Sequence, residues 1–193
     1  MKVGLFFGSF NPIHVGHMML AEYILNYTDI ERIMFVISPQ NPHKGMTELL
    51  DKEERLNMVS IAIANEARMV YSNIEFDMPV PSYTCDTIVK LKEVYPNDEL
   101  CIIVGNDAWT NMTTWKNWDY LKTIPTFVYP RPLLNPNAFC VRTVQGDNDT
   151  FIKAPLFELS ATFIRNSIKE GKSVNYFLPP KVSDYIKEKG FYK

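Results

Sequence analysis

The sequence predicts an α/β fold, namely a single Rossmann-like doubly wound parallel sheet with a small helical extension at its carboxyl end. Three observations lead to this prediction. Short apolar runs alternate with helix-like stretches from the first residues onward. The run 100–104, LCIIV, is continuously apolar, as is typical of a central parallel strand. The length of 193 residues suits one domain. We therefore expect one domain over 1–193, with its helical extension at about 158–193.

The first half of the chain predicts alternating strands and helices, joined by right-handed crossovers. Apolar runs bounded by turn residues mark the strands, and apolar residues at helical spacing mark the helices. The expected elements are a strand at 3–7, a helix over 18–27, a strand at 32–37, a loop from Pro39, a helix from the N-cap Asp51 to about 65, and a strand over 69–76 with a break at Ser72-Asn73.

The second half continues this pattern and then changes to helices. Glycine predicts where the last two helices end, and a proline pair predicts where the last one begins. The expected elements are a helix opening at Ser82, strands at 100–104 and 126–129, an irregular connection over 130–150 with a strand around 139–144, a strand at 151–157, a helix over 160–170 ended by Gly171, and a helix from Pro179-Pro180 to Gly190.

Composition excludes several classes of function. The formal net charge is −2, so no general basic field is available for nucleic acid or an anionic membrane. No apolar run approaches the ~20 residues of a membrane span. Cys85, Cys101 and Cys140 are an odd number without metal spacing, which indicates free thiols and a cytoplasmic protein. The sequence leaves a homodimer open.

The stretch GSFNPIHVGH, residues 8–17, connects the first predicted strand to the first predicted helix. Gly8 and Ser9 allow close approach of a ligand to the backbone, and Asn11-Pro12 favours a turn. Amide groups at the start of a helix attract anions. His14 and His17 are three residues apart and therefore lie on one side of a helical turn. Together these features predict a site for a polyphosphate.

Two other roles for the histidine pair stay open. They could ligate a metal, but a protein zinc site needs about three or four ligands. The only other histidine is His43, and no cysteine lies near the pair in the sequence. The two histidines could also be ordinary residues at a helix start.

GSFNP followed by HxGH, directly after a first strand, resembles the signature of the HxGH nucleotidyltransferase superfamily. Within it, the whole chain resembles the bacterial nicotinate-nucleotide adenylyltransferases. The resemblance implies transfer of AMP from ATP to nicotinate mononucleotide, giving nicotinate adenine dinucleotide and pyrophosphate. It assigns backbone contacts with ATP to Gly8, Ser9 and Phe10, and contacts with phosphate oxygens to the two histidines.

Two further stretches would surround the triphosphate. PHK, ending at Lys44, lies after the second strand and matches the phosphate-binding lysine of the family. LSATFIR resembles the SxTxIR motif, with Ser160 as a helix cap, Thr162 in the first turn and Arg165 one turn on. A helix start with two hydroxyls and a forked cation suits phosphate oxygens. Each stretch also has an alternative interpretation. Lys44 could be an ordinary surface lysine, and LSATFIR could be an ordinary capped helix with an arginine on the surface.

The other motifs concern the acceptor and the ribose. Residue propensities alone favour PSYTCDTI, residues 81–88, as a helix start capped by Ser82 or Thr84. Its resemblance to the family's PSYT motif instead implies that Tyr83 and Thr84 bind the pyridine carboxylate. In VGNDAW, Asp107 is either an N-cap or a ribose ligand. The resemblance also implies an aromatic residue that stacks on the pyridine ring. Trp115 aligns best with that residue of the family, and Trp118 is the second choice. The family's Arg-Pro-Gly appears here as Arg131-Pro132-Leu133, a departure.

These assignments imply direct transfer. The acceptor phosphate is already ionised at neutral pH, so no general base is needed. His14, His17, Lys44 and Arg165 would carry the chemistry through positioning and charge stabilisation. Mg²⁺ is the expected cofactor, held mainly by the phosphates with no metal ligand from the protein. The alternatives are a pantetheine-phosphate or nicotinamide mononucleotide acceptor, or a nucleotide-binding module without catalysis.

Overall fold

The computed structural model describes residues 1–40, 49–131, 148–156 and 158–193. Six parallel strands form one sheet in the order β3-β2-β1-β4-β5-β6. The predicted fold class is confirmed. The strands are β1 (Lys2–Gly8), β2 (Arg32–Ile37), β3 (Met69–Ser72), β4 (Glu99–Gly105), β5 (Thr126–Tyr129) and β6 (Asp149–Phe151).

The first strand lies at the centre of the sheet, between β2 and β4. Val3 is in register with Arg32 on one side and with Leu100 on the other. The chain builds the sheet outward in one direction as far as β3 and then crosses back to β4. The carboxyl ends of β1 and β4 are therefore a switch point, where open parallel sheets bind ligands.

Helices cover both faces of the sheet. They are α1 (Val15–Tyr27), α2 (Lys52–Ile63), α3 (Thr84–Val94), α4 (Asn106–Trp109), α5 (Trp118–Leu121), α6 (Ala161–Lys169) and α7 (Pro180–Lys189). Side chains alternate along β1, so Phe6 joins a core with α1, α2, α6 and α7, while Leu5 joins a second core with α3. Because α6 and α7 share the first core, the carboxyl-terminal helices pack directly beneath the sheet.

Most predicted boundaries are confirmed, including the Asp51 cap on α2 and the ends of α6 and α7 near two glycines of positive φ. Two strand predictions are wrong in length. The strand predicted over 69–76 ends at Ser72, and Ile74–Asp77 forms a 3₁₀ turn. The strand predicted at 151–157 is instead Asp149–Phe151, ahead of Pro155. The strand predicted around 139–144 lies outside the described residues.

No helix in the described ranges combines the length and the apolar character needed to cross a membrane.

Candidate active site

A cleft of about 1240 Å³ follows the carboxyl ends of the strands. It exceeds the roughly 300–1,000 Å³ of a pocket for one small ligand, so it has room for two substrates. Every described residue that the sequence assigned to the site lines this cleft, although the residues come from five separate stretches. They are Gly8, Ser9, Phe10, His14, His17, Tyr83, Thr84, Asp107, Trp115, Ser160, Thr162 and Arg165. Lys44 lies outside the described residues.

The two histidines are stacked at the start of α1. Their ring centroids are 3.7 Å apart with an interplanar angle of 24°, as their spacing in the sequence predicts. His17 Nδ1 accepts a hydrogen bond from the backbone N–H of His14 at 3.2 Å, and the ring of Phe10 packs edge-on against His17 at 5.2 Å. The imidazole of His17 is thus fixed by the turn that precedes the helix.

His14 is a neutral group in this site. Its side chain is 4% exposed, and its Nδ1 is buried without a hydrogen-bond partner among the described residues. Burial, assisted by the charge of Arg131, lowers the pKa of His14 from 6.5 to about 4. At neutral pH the imidazole can therefore act as a hydrogen-bond donor or acceptor, while the positive charge of the site resides in other groups.

The start of α6 faces the start of α1 across the cleft. Ser160 is its N-cap and accepts from Phe163 N–H at 3.2 Å, as predicted. Arg165 donates from Nη1 to the backbone carbonyl of Asn11 at 3.0 Å and from Nη2 to Thr162 Oγ1 at 3.4 Å. The guanidinium therefore joins the last motif to the first turn.

The capping predicted for α3 is wrong. Its N-cap is Tyr83, and no side chain caps the helix. The Ser82 hydroxyl instead donates to Glu75, a carboxylate that is 2% exposed and also accepts from Thr87 at 2.8 Å. Burial raises the pKa of Glu75. Because no side-chain oxygen occupies the helix start, its first amides remain suited to a carboxylate.

A flat ring and a cation lie beside this helix start. Trp115 lines the cleft, whereas Trp118, the second choice for stacking, does not. The neighbouring Lys116 places Nζ 4.8 Å from the centre of the Tyr83 ring and forms an ion pair with Asp86 at 2.7 Å. This end of the cleft therefore combines an aromatic face with a helix start.

Asp107 is not an N-cap. Gly105 caps α4, and Asp107 lies in the first turn of that helix. Its carboxylate accepts from Arg131 Nη1 at 3.1 Å, and the backbone N–H of Arg131 donates to Asn106 Oδ1 at 2.9 Å. A ribose hydroxyl at Asp107 would therefore share the carboxylate with Arg131.

Many residues that line the cleft were not assigned to it from the sequence, and three of them form hydrogen bonds with motif residues of the site. They are Asn11, Glu75 and Arg131. The sequence held one indication for Arg131, because this residue lies in the Arg131-Pro132-Leu133 stretch, which departs from the family's Arg-Pro-Gly. Asn11 was predicted only as a turn residue of the GSFNP motif, and Glu75 fell within the strand predicted over 69–76, where an acidic side chain would ordinarily face solvent.

No group of three or more His, Cys, Asp or Glu side chains in the described ranges is placed to hold a metal ion.

A second, more apolar groove of about 660 Å³ adjoins the cleft. It shares His14, His17 and Arg131 with the cleft and extends along the outer face of α1. Gly16 and Leu159 line it, and a Cβ at Gly16 would lie 3.1 Å from His14 Nδ1. The histidine pair therefore stands where the cleft and the more apolar groove meet.

The chain is similar to known proteins over its whole length. Residues 5–167 match a family model described as cytidylyltransferase-like. A probable nicotinate-nucleotide adenylyltransferase of Flavobacterium johnsoniae is 43% identical over 100% of both chains, and one of Christiangramia forsetii is 42% identical over 100% of this chain and 98% of its own. The structure of Plasmodium falciparum nicotinic acid mononucleotide adenylyltransferase complexed with NaAD superposes with a TM-score of 0.80 at 20% identity, covering 99% and 97% of the two chains.

Proposed function

The chain belongs to the nicotinate-nucleotide adenylyltransferases, within the cytidylyltransferase-like family, and we propose that its cleft is where ATP and nicotinate mononucleotide react. The reaction forms nicotinate adenine dinucleotide and pyrophosphate, a step of NAD biosynthesis. One observation carries the assignment to this cleft. Residues from five separate stretches, each assigned to a substrate from the sequence alone, line a single cavity at the switch point of the sheet.

In this proposal the triphosphate of ATP lies between the starts of α1 and α6. Both helices begin at the cleft, and Arg165 supplies a charged fork. The adenine base lies in the adjoining, more apolar groove beside Gly16 and Leu159, because the two histidines line both that groove and the cleft. Asp107 is assigned to ribose, and Lys44 to the leaving pyrophosphate.

Nicotinate mononucleotide would occupy the other end of the cleft. The uncapped start of α3 receives the pyridine carboxylate through its amides and Thr84, while the ring of Trp115 stacks on the pyridine. Tyr83 lies beside Lys116, whose charge is balanced by its ion pair with Asp86.

The acceptor's 5′-phosphate then attacks the α-phosphorus of ATP in line, and the bond to the β-phosphate oxygen breaks. The attacking phosphate is already ionised, because its second pKa is about 6. His14 and His17 donate hydrogen bonds to the oxygens on which charge develops, and His14 does so as a neutral imidazole. Mg²⁺, entering with ATP and held mainly by the phosphates, would neutralise phosphate charge.

We further propose a cytoplasmic location, which the buried free thiols of Cys85 and Cys101 support. A homodimer is compatible with this proposal, since one chain supplies every residue assigned to the cleft.

The experiment that tests the proposed function measures pyrophosphate release from ATP and Mg²⁺ with separate acceptors. We expect rapid release with nicotinate mononucleotide, slower release with nicotinamide mononucleotide, and none above background with pantetheine phosphate. Release with pantetheine phosphate alone would assign the chain to a different transfer reaction. Absence of release with every acceptor, together with binding of ATP, would indicate a nucleotide-binding module without catalysis.

A further inference from the structure

The guanidinium of Arg55, on the first turn of α2, is buried behind the wall of the cleft. Arg55 is 1% exposed. It donates four hydrogen bonds, all to backbone carbonyls: Nε to Leu50 at 2.9 Å, Nη1 to Ser9 at 2.8 Å and to Ser38 at 2.7 Å, and Nη2 to Pro39 at 2.9 Å. No carboxylate in the described ranges forms an ion pair with it. A buried cation held only by carbonyls is uncommon, because arginine is rarely fully buried unless paired.

The four carbonyls belong to the segments that build the phosphate end of the cleft. Ser9 follows β1, and Ser38 and Pro39 follow β2. Ser9 and Ser38 line the cleft directly, whereas Arg55 does not. The guanidinium therefore holds two strand-end turns together from the side opposite to the substrates.

The hydrogen bond to Ser9 also fixes the direction of an amide. In a trans peptide the C=O and the following N–H point in opposite directions. Because the Ser9 carbonyl points back to Arg55, the N–H of Phe10 points away from Arg55. The amide thus faces the side of the turn where the triphosphate is proposed to lie.

The same peptide adjoins a strained residue. Phe10 has φ 44°, in the left-handed region that non-glycine residues rarely adopt. Such a conformation persists only where its surroundings determine it. The Phe10 ring is buried against Phe6, Phe35 and His17, and the hydrogen bond from Arg55 to Ser9 holds the peptide just before it.

We propose that Arg55 is a positioning residue for the reaction: it holds the Ser9–Phe10 peptide so that the Phe10 amide can bind the triphosphate of ATP. Arg55 touches neither substrate, and it acts through the turn. Burial lowers the pKa of Arg55 to about 10, so the guanidinium remains charged at neutral pH and adds positive potential behind the phosphate site. The inference rests on the proposed function.

A purely structural role would change the stability of the fold but would affect both substrates alike. A positioning role predicts a loss confined to ATP and pyrophosphate. The test compares Arg55→Lys and Arg55→Ala with the wild-type protein. Arg68→Met is the matched control, since Arg68 is a partly exposed arginine paired with Glu66 and lines neither cavity. The measurements are unfolding by urea, KM for each substrate, kcat, and binding of inorganic pyrophosphate by calorimetry.

We expect Arg55→Lys to fold and to lose at least about tenfold in kcat/KM for ATP, with KM for nicotinate mononucleotide changed by less than about twofold. A lysine keeps the charge but cannot reproduce a fork that reaches four carbonyls. Pyrophosphate affinity should fall by a similar factor. In Arg55→Ala, added methylguanidinium should restore activity, whereas methylammonium should not. Arg68→Met should behave as wild type.

Wild-type values of kcat/KM for ATP and of pyrophosphate affinity in folded Arg55→Lys would overturn the proposal. So would an equal rise in both KM values, or equal rescue of Arg55→Ala by the two cations. If Arg55→Ala does not fold, Arg55→Lys decides alone. Pyrophosphate binding does not depend on the acceptor, so it tests Arg55 even if the wild-type protein does not use nicotinate mononucleotide.

Discussion

Arg165 Nη1 donates a hydrogen bond to the backbone carbonyl of Asn11 at 3.0 Å, across 154 positions of sequence. The side-chain oxygen of Asn11 accepts from the hydroxyl of Tyr192 at 2.7 Å. The first turn of the chain is therefore held by two residues from its last thirty. This arrangement brings the motif at the start of α6 against the turn after β1, where the triphosphate is proposed to bind.

Arg165→Lys should lower kcat/KM for ATP by about tenfold or more, because lysine keeps the charge but loses the forked donor set. The α6 helix should remain folded, since its Ser160 cap is unaffected. Steady-state kinetics with varied ATP, and circular dichroism for the fold, test this prediction. Arg68→Lys, at the partly exposed pair with Glu66, is the control. Unchanged KM and kcat in Arg165→Lys would remove the residue from phosphate binding.

His17→Ala should fold normally and turn over at least about a hundredfold more slowly, because a donor to developing charge typically contributes 10²–10³ in rate. KM values should change much less than kcat, since the interaction strengthens in the transition state. Single-turnover kinetics at saturating ATP and nicotinate mononucleotide separate chemistry from product release. A variant that keeps more than about half of the wild-type kcat would exclude His17 from the mechanism.

His14 should make the fold sensitive to mild acid. Its pKa is about 4 in the folded protein and 6.5 in the reference state, so the unfolded chain binds the proton first as the pH falls. Its contribution to stability is complete above pH 6.5 and declines toward pH 4, by at most about 3 kcal/mol. Burial is the main cause of the lowered pKa of His14. The charge of Arg131 contributes less, because Arg131 is half-exposed and solvent screens its charge.

Urea unfolding of wild type and His14→Asn over this pH range gives the measurement. The difference between the two curves isolates His14, because both proteins retain Glu75 and every other titrating group. We expect the wild-type protein to lose stability faster than the variant as the pH falls. Parallel curves would show that the imidazole is not held neutral by the fold.

The alternation of strands and helices was predictable from sequence, because it depends on local signals. These are the spacing of apolar residues and the glycines and prolines that mark where elements end. The failures also have local causes. The strand predicted over 69–76 ends after Ser72, where the polar pair Ser72-Asn73 leads into a 3₁₀ turn. At α3, Ser82 looked like a cap, but its hydroxyl is taken by Glu75, a partner seven residues earlier. No sequence pattern indicated that pairing.

The residues assigned to the cleft were predictable where a motif grouped them, as with His14 and His17. Residues that act from behind the cleft were not. Arg55 lies on the helix predicted from Asp51 to about 65, and an arginine there would ordinarily be on the surface. Its burial depends on four carbonyls from two connections, the one after β1 and the one between β2 and α2, which only the folded chain brings together.

Trp115→Ala should raise KM for both mononucleotides by about tenfold, the usual effect of removing one stacked aromatic ring. The change should be equal for acid and amide, because stacking does not distinguish them. Trp118→Ala is the control, since both tryptophans pack on the same core but only Trp115 lines the cleft. Equal effects of the two substitutions would contradict stacking at Trp115 and indicate a shared packing role.

Thr84→Val should narrow the preference for the acid, because the hydroxyl is assigned to the pyridine carboxylate, while the amides at the start of α3 still donate. We expect the ratio of kcat/KM values for acid and amide to fall by a factor of about five to ten. Selectivity that is unchanged in this variant would assign carboxylate recognition to the backbone alone.

The most direct measurement is the ratio of kcat/KM for nicotinate and nicotinamide mononucleotide in the wild-type protein at saturating ATP. The backbone amides at the start of α3 are hydrogen-bond donors, so nicotinamide would bring its NH₂ group against N–H groups. A buried donor left without a partner costs about 1–3 kcal/mol, which corresponds to a preference for the acid of roughly tenfold to hundredfold. We predict a ratio in that range or above. Equal use of the acid and the amide would contradict the assignment of this cleft to nicotinate mononucleotide.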